Sequence, residues 1–173
     1  TGRRVVEQLL KRGVNVRAIV RSRQKLAATI QEDSRLTIVE ASLLFLKDDE
    51  LQRHVNGCDT VISCLGHVLS FKGVFGQPRN LVKTAVVRIS RAIETLQPSK
   101  PIKLILMSSV SVHRQGKIDS RRGFLERVFL WILRKVLPPA NDNQLAADFL
   151  CDHIGRKHPF IQWAAIRPDT LSE

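Results

Sequence analysis

Thr1, Gly2 and Arg3 stand in front of an amphipathic stretch, and Arg21 and Ser22 stand behind an alternating one. A small turn ahead of a helix leaves the first N–H groups open. The positive end of the helix dipole favours an anion there, so a phosphate can rest on the turn. A strand that stops beside such a turn can bring a side chain against the ribose of the same ligand. Further along, apolar runs end on small or polar residues at Ser42-Leu43, Cys64-Leu65-Gly66 and Ser108-Ser109. His113 and Asp142 are titratable groups able to hold or move a proton. Each has a plainer use as well. Serines at a strand end satisfy backbone, His113 falls in a loop, and Asp142 suits a helix cap.

The elements that must position these residues follow from periodicity. Val5, Val6, Leu9 and Leu10 form one stripe of a helix over Arg3 to Lys11, closed by Gly13. Val14 to Val20 alternates as a strand. Ser22 caps a short helix over Arg23 to Ile30. A strand is expected at Leu36 to Val39, a polar helix at Asp48 to Val55, and a turn at Asn56-Gly57. Thr60 to Leu65 is almost continuously apolar, which suits a strand buried on both faces of a parallel sheet. Pro78 opens a helix with apolar positions at Leu81, Val82, Ala85, Val86, Ile89, Ala92, Ile93 and Leu96, stopped by Pro98 and Pro101. Ile102 to Met107 is a strand. Pro138-Pro139 breaks the chain before a helix over Asn141 to Ile154, capped by Asn141 or Asp142, and Phe160 to Ile166 is the last strand.

Strands alternating with helices imply an α/β domain, a doubly wound parallel sheet with helices on both faces. Ligands of such sheets bind at the carboxyl ends of the strands, where the residues above fall. One domain over residues 1–173 is expected. The order calls for a further strand ahead of Thr1, so the chain reads as a fragment that also lacks a C-terminal substrate segment.

The net charge is +12, which raises nucleic acid as a partner. The Lys and Arg residues are spread over every segment with little aromatic interleaving, so nucleic acid is disfavoured. Cys58, Cys64 and Cys151 form no CxxC and no even framework, which fits reduced thiols in an intracellular, cytoplasmic setting. No metal-ligand spacing is present. The apolar block Val128 to Leu133 is too short to span a bilayer. The segment 124–137 around it can pack on the domain, or dock on a membrane surface or a partner. No GxSxG elbow surrounds Ser108 and no GxxxxGK[ST] occurs, which removes serine hydrolases and P-loop kinases.

Taken together the pieces resemble an atypical short-chain dehydrogenase/reductase of the NAD(P)-binding, NmrA-like kind, with a Rossmann-like fold. Thr1-Gly2-Arg3 resembles the end of that family's GxTGxTGR turn, and Val16 to Ser22 its second strand with a basic exit. Asp59 to Gly66 resembles the fourth strand, Ile105 to Ser109 the fifth with its Ser pair, and Ile166-Arg167-Pro168 the strand that ends in Arg-Pro. The resemblance implies that Thr1, Gly2, Arg3, Arg21, Ser22, Ser42, Leu43, Cys64, Leu65, Gly66, Ser108 and Pro168 hold a dinucleotide. It also implies a Tyr with a Lys four residues on as the acid/base pair. The chain has no Tyr, and the two positions fall near Ala140 and Gln144.

Hydride transfer survives that loss, because the nicotinamide carries it. The proton then comes from water, His113 or Asp142, with Ser108 bonded to substrate. Arg21 favours NADP(H), with NAD(H) as the second option: an arginine fork pairs with a 2′-phosphate where a carboxylate would accept from ribose hydroxyls. Two functions follow. One is an NADP(H)-binding oxidoreductase-like protein acting on a small carbonyl or conjugated organic substrate without a Tyr-Lys dyad. The other is a non-catalytic NADP(H) sensor or scaffold that binds a protein partner.

Overall fold

The computed structural model describes residues 1–67, 79–108, 112 and 138–167. The chain divides into two compact units, Thr1–His54 and Val55–Glu173. His113, Pro168 and the segment 124–137 lie outside the described residues, as does Pro78.

In the first unit, α1 spans Gly2–Lys11 and buries Leu10. Its stripe packs on β1, Val16–Val20. Arg3 and Glu7, one turn apart at 3.4 Å, add a weak surface pair. The helix ends where Gly13 turns to φ 76, a conformation costly for any residue with a Cβ. A Cβ there would meet only the far end of Arg35 at 3.7 Å, so the cost of Gly13→Ala is backbone strain alone. It is expected to lower stability by about 1 kcal/mol in urea unfolding.

The alternation at Val14 and Asn15 does not belong to the strand. Val14 N–H still donates to Leu9 O at 3.1 Å, so the helix end holds it and β1 begins at Val16. β1 pairs in parallel with β2, Leu36–Glu40, from Val16↔Leu36 to Val20↔Glu40. The expected helix over Arg23 to Ile30 is two pieces, a 3₁₀ turn at Arg23–Lys25 and a one-turn α2 at Ala28–Gln31. Leu26 is the cause. It is buried and its backbone is extended, which breaks the helix. Gln31 repairs the break by donating to Leu26 O at 2.8 Å and Arg23 O at 3.1 Å.

α3, Asp48–Val55, opens with Asp48, Asp49 and Glu50, and Glu50 accepts from Lys47 N–H at 3.0 Å. That is half of a capping box. Arg17 closes the other end, donating to Arg53 O at 3.2 Å and His54 O at 2.6 Å. A cation suits the negative end of a helix dipole.

The second unit holds β3 (Thr60–Ser63), α4 (Leu81–Leu96), β4 (Ile102–Met107), α5 (Pro138–Phe149) and β5 (Ile161–Ile166). The three strands form one parallel sheet in the order β3-β4-β5. Ser63 pairs with Leu106 and Met107 with Ile166, which fixes the carboxyl edge. Ile102, Leu104 and Leu106 are buried while Lys103 is exposed, so β4 alternates. α4 buries Val82, Ala85, Val86, Ile89, Ala92 and Ile93 as the apolar period demands, and Ser90 with them. It packs against α5.

α4 ends on Gln97 in a left-handed conformation, φ 44. Glycine is the usual residue there. Gln97→Gly is expected to raise stability by about 0.5–1 kcal/mol, read as a higher urea midpoint.

α5 corrects the expectation for the last helix. It starts at Pro138, not Asn141, because prolines fit the first turn, where their missing N–H is not needed. Asn141 and Asp142 therefore lie inside the helix and cannot cap it. From Leu150 to Ile154 the chain widens into a π turn, which Gly155 ends at φ 65. Trp163 donates to Gly155 O at 2.6 Å and holds that end to β5.

Candidate functional site

In the first unit the predicted residues gather at the carboxyl ends of β1 and β2. Arg21 leaves β1 exposed, and among the described residues it has no hydrogen bond or ion pair. Arg12 and Arg23 of the unit likewise show no side-chain bond among the described residues, whereas others are engaged. Arg17 holds α3, and Arg35 meets Asp33 at 2.8 Å. That Arg35 pairing holds the Asp33 carboxyl below its ordinary range, first through the side-chain hydrogen bond. Ser22 follows with an extended backbone (φ −156), and its side chain caps nothing. Ala41 N–H donates to Val20 O at 2.9 Å, so the two chains leave the sheet side by side. Ser42 O then accepts from Phe45 N–H at 2.9 Å and Leu46 N–H at 3.2 Å, closing a turn. Leu43 is half-buried in it.

Thr1 and Gly2 begin α1. Thr1 O accepts from Val5 N–H at 3.1 Å, no side chain caps the helix, and no acidic residue stands in its first turn. Such an N-terminus suits an anion. Arg3 is turned to Glu7. A cavity of about 310 Å³ in this unit is lined by Glu7, Lys11, Ile30, Asp33 and Arg35, among others. It lies at the far half of α1 and the entry of β2, away from the strand ends where the predicted residues fall.

In the second unit Cys64, Leu65 and Gly66 follow β3. Burial pushes the half-buried Cys64 thiol up, so it stays protonated at neutral pH. It is a poor nucleophile in that form. Among the described residues a Cβ on Gly66 would meet nothing within 4 Å. Ser108 ends β4. Its N–H donates to Ile166 O at 2.8 Å, and its buried Oγ, like those of Ser63 and Ser90, has no partner among the described residues. Arg167, beyond β5, donates to Val112 O at 2.8 Å.

Asp142 is the most constrained group of the unit. Its side chain is fully buried. Oδ2 accepts from Val82 N–H at 2.7 Å and Oδ1 from Lys83 N–H at 2.9 Å. His67 Nε2 lies 2.9 Å from Oδ2. The carboxylate thus caps α4, a different helix from its own, while Asn80 at the N-cap position makes no side-chain cap bond. A negative charge at a helix N-terminus is favoured by the dipole and by the open N–H groups. Sequence reasoning expected a cap at Asp142, but on α5. It missed His67, which sits 75 positions away and follows Gly66 directly. Its place just after a strand end was the available signal. Phe45 was missed too.

The NAD(P)H-binding family profile matches residues 1–173, the whole chain. The chain belongs to that NAD(P)H-binding family. Solved structures agree on its Rossmann-like fold. A short-chain dehydrogenase/reductase from Burkholderia vietnamiensis superposes with a TM-score of 0.64 at 15% identity, covering 99% of this chain and 79% of that one. UDP-glucuronic acid 4-epimerase from Bacillus cereus, solved with UDP-glucuronic acid and NAD, gives 0.65 at 16% identity, over 96% of this chain and 52% of the epimerase. Epimerase Mth375 from Methanothermobacter thermautotrophicus gives 0.63 at 12%, over 96% and 47%. The NAD(P)H-binding chain thus spans about half the length of each epimerase. A comparison with curated proteins gave no match.

Each unit by itself holds groups of the kind a nicotinamide dinucleotide uses: the first a helix N-terminus and the exposed Arg21, the second Gly66 and the Ser108 hydroxyl. Among the described residues no helix is long and apolar enough to cross a membrane, and no cluster of His, Cys, Asp or Glu could hold a metal ion.

Proposed function

We propose that this NAD(P)H-binding chain is an oxidoreductase that prefers NADP(H) to NAD(H) and reduces a small carbonyl or conjugated organic substrate. Arg21 carries the proposal. It is an exposed cation at the carboxyl end of β1, with no side-chain partner among the described residues. A guanidinium fork matches a phosphate in shape and charge. In the first unit we assign Thr1, Gly2 and Arg3 to the bridging phosphates, Arg21 and Ser22 to the 2′-phosphate, and Ser42 and Leu43 to the adenosine.

The bound nicotinamide supplies the hydride. In the second unit Cys64, Leu65 and Gly66 give the cofactor room at the strand end, with Pro168 as a further contact. Ser108 is assigned to the substrate, because a buried hydroxyl without a partner is costly until a ligand bonds it. Asp142 already accepts from two N–H groups and faces His67, which supports a positioning role. Water or His113 then supplies the proton that completes the reduced oxygen. No tyrosine is available for that task.

The same lack of tyrosine favours a second reading, a protein that binds the cofactor as a sensor or scaffold for a protein partner. A panel of aldehydes and quinones separates the two. The enzyme reading expects substrate-dependent loss of NADPH absorbance with at least one class. A flat trace across the panel, with NADPH bound, supports the sensor.

A further inference from the structure

The first unit leaves one aromatic ring in water. Phe45 is 88% exposed, far more than Val14 or Ile166. We propose that Phe45 is the stacking surface for the purine ring of the bound nucleotide. This rests on the NADP(H) reading and adds to it a residue that holds the base.

The turn that carries Phe45 is built, not loose. Phe45 N–H and Leu46 N–H both donate to Ser42 O, at 2.9 and 3.2 Å. Closing a turn this way brings Phe45 back to within about 7 Å of Ser42, Cα to Cα. Ala41 N–H pairs with Val20 O at 2.9 Å, so the register Val20↔Glu40 carried one step on puts Arg21 opposite Ala41, the residue before Ser42. Leu43, Leu44 and Leu46 are half-buried and anchor the turn from below, so Phe45 is the side chain it holds outward. An arginine and an aromatic ring therefore share one edge of one unit.

The chemistry of that pair selects the ligand. A free phosphate uses the arginine and gains nothing from the ring. A purine nucleotide with a ribose phosphate uses both, one flat face on the ring and one anion on the fork. Stacking does not read hydrogen-bond edges, so the ring adds affinity for the base without restricting the other end of the ligand. A protein partner fits less well. Exposed Arg21, Arg23, Lys25, Glu40 and Lys47 lie in the same segments, whereas the centre of a protein interface is depleted of charge.

The test compares Phe45→Ala, Phe45→Leu and Phe45→Trp in the full chain, with NADPH, NADH and reduced nicotinamide mononucleotide, which lacks the base. Phe45→Ala and Phe45→Leu are expected to weaken NADPH and NADH by one common factor, about tenfold, and to leave the mononucleotide unchanged. Phe45→Trp keeps the affinity, and adenosine 2′,5′-bisphosphate quenches its added indole emission. All three variants should melt with the parent chain, since the side chain is exposed. Unchanged affinity of Phe45→Ala for both dinucleotides, beside a parent chain that binds them, overturns this inference and leaves the NADP(H) reading standing. An equal loss for the mononucleotide also overturns it. A parent chain that binds neither dinucleotide removes both.

Discussion

Asp142→Ala should be the most damaging single change in the described structure, lowering stability by about 3–5 kcal/mol. For a chain of this size that corresponds to a melting temperature lower by roughly 6–20 °C. The substitution strips two backbone N–H groups at the start of α4 of their acceptor and leaves His67 without its carboxylate. The Val82 N–H is buried and the Lys83 N–H and His67 ring are part-buried, so water replaces the lost acceptor poorly. Asp142→Asn should cost less, about 1–2 kcal/mol, because the amide oxygen still accepts one bond while its NH₂ faces a donor. Urea unfolding of both variants checks the order. A loss below about 1 kcal/mol for the alanine variant would mean that the α4 cap is not what holds that end.

The second large effect concerns the ligand. Arg21→Ala should weaken NADPH by roughly ten- to a hundredfold and leave NADH almost unchanged, as expected for loss of a charge-assisted bond to the 2′-phosphate. Arg21→Lys should recover part of the loss, since a lysine keeps the charge without the planar fork. The side chain is exposed and takes no part in the bonding of the fold among the described residues, so stability should hardly move.

Much of this architecture is legible in the residues alone. The period at Leu81 to Leu96 places α4, and its buried positions are the ones the stripe names, with Ser90 added. Ile102 to Met107 reads as a strand, and the parallel pairing within each unit is what strands alternating with helices imply. What escaped sequence reasoning is long-range or depends on local geometry. Nothing near Leu26 announces that burying it will break a helix in two. Pro138-Pro139 carries both a breaker and a starter signal, and packing of α5 on α4 decides for the starter. The link from Asp142 to Val82, Lys83 and His67 joins residues 59 to 75 positions apart, beyond the reach of any local period. Phe45 fails as a signal for the opposite reason. In a run of leucines it looks like core, and only the turn reveals that it points outward.

Within each unit the strand-end residues fall on one edge, because in a parallel sheet every strand ends on the same side. Their roles rest on chemistry. Among the described residues the Ser108 hydroxyl and the Arg21 guanidinium have no partner, and both stand at carboxyl strand ends, which is what sets them apart from Ser90 and Arg12.

The most direct measurement is a paired titration of NADPH and NADH into the parent chain and Arg21→Ala, followed by nicotinamide fluorescence. The parent chain should bind NADPH more tightly than NADH, and the variant should lose this difference by losing NADPH affinity. Equal loss of both ligands, or a parent chain that does not distinguish them, would contradict it.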